Sequence, residues 1–256
     1  MNQKSDAEKG NALQVQGERV VLGAWSGDLG ELLGKNAELR EMIRDGRYAG
    51  ARALIQAQSA EEQAVLVAMD ENPEEVLSLT GMDENGKPGY KPEVVDKLPT
   101  EVFTEILVPR HGRQARFNTE ALMKMSPDAF SRAVEDTLDP VYYHGNRTKI
   151  SWEWLEAVAA LKDNDKAAQL LYKVDQSTLE DALLDKVDKF DMNATVGSRG
   201  VTVYAFQLFS ESGQALELPP IQDPEVAEVI HELHHAAPEL LAKVVRNAWE
   251  RAGGGA

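Results

Sequence analysis

The chain has 256 residues, 43% hydrophobic and 27% charged, a balance that fits a globular protein with material for one large core or two smaller ones. It contains no cysteine, which excludes a disulfide scaffold, a cysteine-ligated zinc and a thiol nucleophile. A net charge of −16 opposes general binding to nucleic acid or an anionic membrane surface, because each partner carries the same sign.

Residues 1–27 hold scattered glycines and no clear period, so a flexible N-terminal arm is expected there, with one apolar patch at Val20 to Trp25. No stretch approaches the roughly 20 apolar residues that cross a bilayer, and MNQKSDAEKG lacks the apolar centre of a signal peptide. A cytoplasmic location without a membrane span is the expectation. Residues 1–60 carry 8 basic and 8 acidic side chains, so the whole net charge lies in residues 61–256.

From Asp28 the pattern turns helical, through Leu29, Leu32 and Leu33, then Leu39, Met42 and Ile43, then Ala51, Leu54 and Ile55. Ser59, Asn72 and Ser177 each precede an acidic, apolar-periodic run as caps. Glu62, Glu75 and Glu180 follow three positions later as the second halves of capping boxes. Ser126 before Pro127 marks another start, and Thr100 another. GMDENGKPGYKP, residues 81–92, is a connector. Its Asp83 and Asn85 are not a calcium loop, because Lys87, Pro88 and Val94 stand at key positions of the loop.

PRHGRQAR carries Arg110, Arg113 and Arg116 beside His111 without an acid among them. It reads as a solvated loop, or as the contact for an acidic partner or phosphate. DPVYYHGNRTKI breaks the period, and Ser151 opens SWEWLEAVAAL, with Trp154, Leu155, Val158 and Leu161 on one stripe and Trp152 off it. The aromatics Tyr142, Tyr143, Trp152 and Trp154 are expected in a helix-packing core rather than a binding groove. Asp163 and Asp165 precede the next helix. VTVYAFQLF, ESGQ and ALEL read as a β-hairpin, and Asp223 with Pro224 caps the helix that follows. Pro238 restarts the chain for a last helix. The starts at Ser59, Thr100, Ser126 and Ser177 lie 41, 26 and 51 residues apart, so no regular solenoid period is present.

VIHELHHAA matches H-E-x-x-H. In that pattern His231 and His235, one helical turn apart, bind zinc and Glu232 activates water. Three and six positions past His235 stand Pro238 and Leu241, where a metzincin needs glycine and histidine. A polar, histidine-rich helix face is the competing reading. No nucleotide-binding glycine loop and no G-x-S-x-G elbow is present in the sequence.

The succession LPTEVFTEIL, MSPDAFSRAVEDTL, SWEWLEAVAAL, STLEDALLDKV, VTVYAFQLF and DPEVAEVI, over residues 60–251, resembles an uncharacterised bacterial family known as a domain of unknown function. The helix starts are also similar to those of the cytosolic N-terminal helical superhelix of the MgtE magnesium transporter. That likeness implies a regulatory or docking domain, one whose acidic faces respond to divalent cations.

The fold expected is mostly α. It is an irregular helical stack over residues 28–200, followed by one β-hairpin and a closing helical pair over residues 201–251. The function expected is a non-catalytic cytoplasmic interaction or regulatory module for an unknown protein partner, without a cofactor. The alternatives are a zinc hydrolase built on His231, Glu232 and His235, and an acidic domain that responds to divalent cations.

Overall fold

The computed structural model describes residues 12–107, 117–138, 147–184, 186, 207–209, 215–217, 221 and 223–252. The described residues are mostly helical. The chain divides into two compact units, residues 1–129 and residues 130–256. The boundary between them, Ala129 to Phe130, falls inside the span of residues 28–200 where one helical stack is expected.

The first unit opens on a sheet where an arm was expected. Leu13–Gln16 (β1), Arg19–Leu22 (β2) and Trp25–Asp28 (β3) pair antiparallel in the order β1-β2-β3, with Gln16 opposite Arg19 and Leu22 opposite Trp25. The correction has a local cause. Each strand connection is a two-residue loop with glycine first, Gly17-Glu18 and Gly23-Ala24. Gly17 (φ 64°) and Gly23 (φ 58°) have positive φ while the second residue does not. That is the type II′ pattern, whose twist matches paired strands. Val20 and Leu22 of β2 point into the core. The main sheet is thus N-terminal and three-stranded, and it stands in addition to a two-stranded antiparallel pair near the C-terminal end, where the sequence suggested a single hairpin.

Asp28 then starts Leu29–Arg44 (α1) by accepting a hydrogen bond from the Glu31 amide at 2.8 Å. Tyr48–Gln56 (α2), Ala60–Met69 (α3), Pro73–Thr80 (α4), Pro92–Val95 (α5), Thr100–Leu107 (α6) and Thr119–Lys124 (α7) follow. Five consecutive residues of α3, Gln63 to Val67, are buried, so this helix is enclosed on all sides. It packs against α1, α2, α4 and α5, while α2 also meets α4, and α7 meets α5 and α6. The connector at 81–92 is tied down: Gln56 Nε2 donates to the carbonyls of Leu79, Thr80 and Met82 at 3.0–3.1 Å. Asp83 Oδ1 accepts from the amides of Asn85 and Lys87.

The division of the chain falls within Pro127–Leu138 (α8), whose start is capped by Ser126 accepting from the Ala129 amide. The second unit continues with Arg147–Ala159 (α9), Asn164–Leu171 (α10) and Gln176–Leu184 (α11). After Gln207–Phe209 (β4) and Ala215–Glu217 (β5), which pair antiparallel, come Pro224–Ala236 (α12) and Pro238–Arg251 (α13). Helix α9 starts before Ser151 and buries Trp152 together with Trp154, Leu155, Ala157 and Val158, a wider face than one stripe. Phe130 meets Trp154 edge to face at 5.5 Å between ring centres. Helix α9 packs on α10, α11 and α12, and α13 on α11 and α12. No helix among the described residues is long and apolar enough to cross a membrane.

Candidate functional site

Helix α12 carries the H-E-x-x-H residues, and its sequence explains their display. Asp223 Oδ1 accepts from the amides of Glu225 (2.9 Å) and Val226 (3.3 Å), and Pro224 fixes the first turn. Val226, Ala227, Ile230 and Leu233 repeat at helical spacing and are buried, which turns His231 and His235 outward to an exposed face. Glu232 and His234 are half-buried. The structure brings the two histidines together. Their Nε2 atoms stand 3.0 Å apart, one ring donating and the other accepting, and their ring planes cross at 81°. Pro238 ends the helix and opens α13, as the sequence indicates.

The remainder of a zinc hydrolase centre does not assemble around this pair in the described part. Among the described residues no group of three or more His, Cys, Asp or Glu side chains gathers for a metal ion. Arg110, Arg113 and Arg116 lie outside the described residues, as do Tyr142 and Tyr143.

Sequence reasoning missed the strongest polar constellation, which centres on Glu180 of α11. Its side chain is 10% exposed. Glu180 Oε1 accepts from Gln176 Nε2 (2.6 Å) and from Asn247 Nδ2 on α13 (2.7 Å), while Oε2 pairs with Arg251 at 3.3 Å. Arg251 also reaches Asp181 at 2.7 Å. Burial is the largest single influence and raises the Glu180 carboxyl. The bonds from Asn247, Gln176 and Arg251 together outweigh it and hold the group below its ordinary value. Arg251 is raised in turn, first by its bond to Asp181.

Glu156 on α9 shows the opposite balance. Burial lifts its carboxyl above the ordinary value, opposed by a 2.6 Å hydrogen bond from Trp152 Nε1 and by Lys186. The Lys186 ammonium sits 5.2 Å from the centre of the Trp152 ring. In the same unit, Leu155, Leu171, Leu179, Leu183, Leu241 and Val244 border an apolar void of about 10 Å³. A space that size holds at most about one water molecule and is too small for a substrate.

In the first unit the ionic chemistry ties α1 to α3. Lys35 meets Glu31 at 2.7 Å and Glu62 at 2.5 Å. Arg40 Nε meets Asp70 at 2.9 Å, and the same Asp70 oxygen accepts from Asn36 at 3.2 Å. Both cations are held above their ordinary values, Lys35 first by its bond to Glu31 and Arg40 first by its bond to Asp70. Compared with protein-family models, curated proteins and solved structures, the chain matches none, so no residue role is carried over from a relative.

Proposed function

We propose that the chain works as a non-catalytic cytoplasmic interaction or regulatory module that presents a helical surface to a protein partner. The observation that carries this reading is where the buried and part-buried ionic groups go. Asp70 and Glu180, whose side chains are 6% and 10% exposed, each join helices within their own unit, Asp70 to Arg40 of α1 and Glu180 to Asn247 and Arg251 of α13. Groups engaged in this way stiffen a scaffold and are not free for proton transfer to a substrate. A stiff helical surface binds a partner through shape and side-chain complementarity without a reactive group.

The test uses the full chain with a photoreactive residue at exposed Tyr48 or, separately, at exposed Tyr172. A single protein crosslinked from one position, and displaced by excess unlabelled chain, supports the reading. Hydrolysis of a peptide or ester by the purified chain, abolished in Glu232→Gln, would overturn it in favour of the zinc hydrolase. The cation-responsive alternative expects stabilisation by millimolar magnesium or calcium that disappears when acidic clusters are neutralised.

A further inference from the structure

We propose that His231 and His235 form a two-point chelate for a transition-metal dication, of the copper(II) or zinc(II) class, on the exposed face of α12. The inference is independent of the interaction reading, since it requires neither a substrate nor a general base.

The geometry is the first argument. Two imidazole nitrogens bound to one metal at about 2.0–2.1 Å stand about 2.9 Å apart at a right angle and about 3.4 Å apart at the tetrahedral angle. The two Nε2 atoms are already 3.0 Å apart, within that span. In the metal-free pair one Nε2 carries a proton and donates it to the other. To bind the ion through both Nε2 lone pairs, the donor ring carries its proton on Nδ1 instead of Nε2. Both side chains lie on the exposed face of α12, where a dication in solution can reach them. The helix holds the four-residue spacing fixed because its opposite face is buried in the core.

The field around the pair is the second argument. Glu228, His231, Glu232 and His235 lie at relative positions zero, three, four and seven, on one side of the helix. Two carboxylates therefore share the side that would receive a dication. His235 also stands in the last turn of α12, where the negative end of the helix dipole favours positive charge.

The ligand type sets the class. Imidazole suits copper, nickel and zinc, with copper(II) bound tightest in the first-row series. Magnesium and calcium require oxygen ligands and gain little from this pair.

Full chain without a histidine tag, stripped of metal, is titrated with copper(II) chloride and with zinc chloride by calorimetry. The copper complex is then examined by electron paramagnetic resonance. The expected result is one site per chain, tighter for copper, with about tenfold or greater loss of affinity in His231→Ala and in His235→Ala. His234→Ala keeps the site, and magnesium does not compete. The copper spectrum shows coupling to two imidazole nitrogens in the unaltered protein and to one in either single variant. Unchanged affinity in both variants overturns the proposal. So does a wild-type spectrum with oxygen ligation alone, which decides the matter even where a variant folds poorly.

Discussion

The two units use charge in different ways. In the first, two long cations on α1 reach α3 and the residues beside it, and each is part-exposed. The side chains of Lys35 and Arg40 are 24% and 37% open to solvent. In the second, three donors from two helices converge on one nearly buried carboxylate, Glu180. A part-exposed cation is screened by water and salt and contributes little, even where its carboxylate, as at Asp70 with 6% exposed, is itself buried. A buried carboxylate with converging donors is a single point of failure, because its removal strands several polar groups in a low-dielectric place. The comparison teaches that the number of ion pairs says little about which unit depends on charge.

The largest expected effects lie in the cores and are the same in both units. Phe103→Ala and Phe130→Ala each remove a fully buried ring and should cost about 3–5 kcal/mol by chemical denaturation. Should one of them cost under about 1 kcal/mol, that core is looser than its burial indicates. Next is Glu180→Ala, expected to cost about 3 kcal/mol. Arg40→Ala is expected to cost only about 1 kcal/mol. The reason for the gap is visible: without Arg40, Asp70 still accepts from Asn36 Nδ2 and from the Asn72 amide. Equal losses for these two variants would mean that losing a part-exposed cation costs as much as losing a buried carboxylate.

The smallest effect is the one at Glu156. A carboxyl held above its ordinary value favours its neutral form in the folded protein, so the group costs stability once pH rises above its folded value. Glu156→Gln should remove that cost and leave the protein as stable as wild type, or slightly more so, at neutral pH, measured by thermal unfolding. A clear loss of stability would mean that the charged form is needed for the contact with Lys186.

Much of the helical scaffold was legible because capping is local. Ser59, Ser126, Asp163 and Asp223 each accept the amide hydrogen bonds that their positions suggest. Other signals were local but misread. Asp175, not Ser177, starts α11, accepting from both the amide and the hydroxyl of Ser177. At Asn72 the backbone carbonyl begins α4, and the side chain donates to Glu75 instead of capping. The N-terminal strands are four residues each, too short for a period to stand out, and the informative signs were the Gly-Glu and Gly-Ala pairs between them. Glu62 and Glu180 were read as halves of capping boxes, but they serve Lys35 of α1 and Asn247 and Arg251 of α13. Partners 67 and 71 residues away leave no trace in local spacing. At the candidate site the helix and the pairing of His231 with His235 followed from the four-residue spacing, whereas the bonds that engage Glu180 depended on packing.

The most direct test of the account is unfolding free energy from pH 7 to pH 3 for wild type and Glu180→Gln. Glu180 is held below its ordinary value, so its contribution is present at neutral pH and is lost as pH falls through its folded value, starting below about pH 4.3. The other depressed acids, Glu61 and Asp175, are common to both proteins and cancel in the difference. The account expects wild type to lead at pH 7 and the two curves to converge in acid. A gap that stays constant across the range would contradict the claim that the Glu180 charge ties α11 to α13.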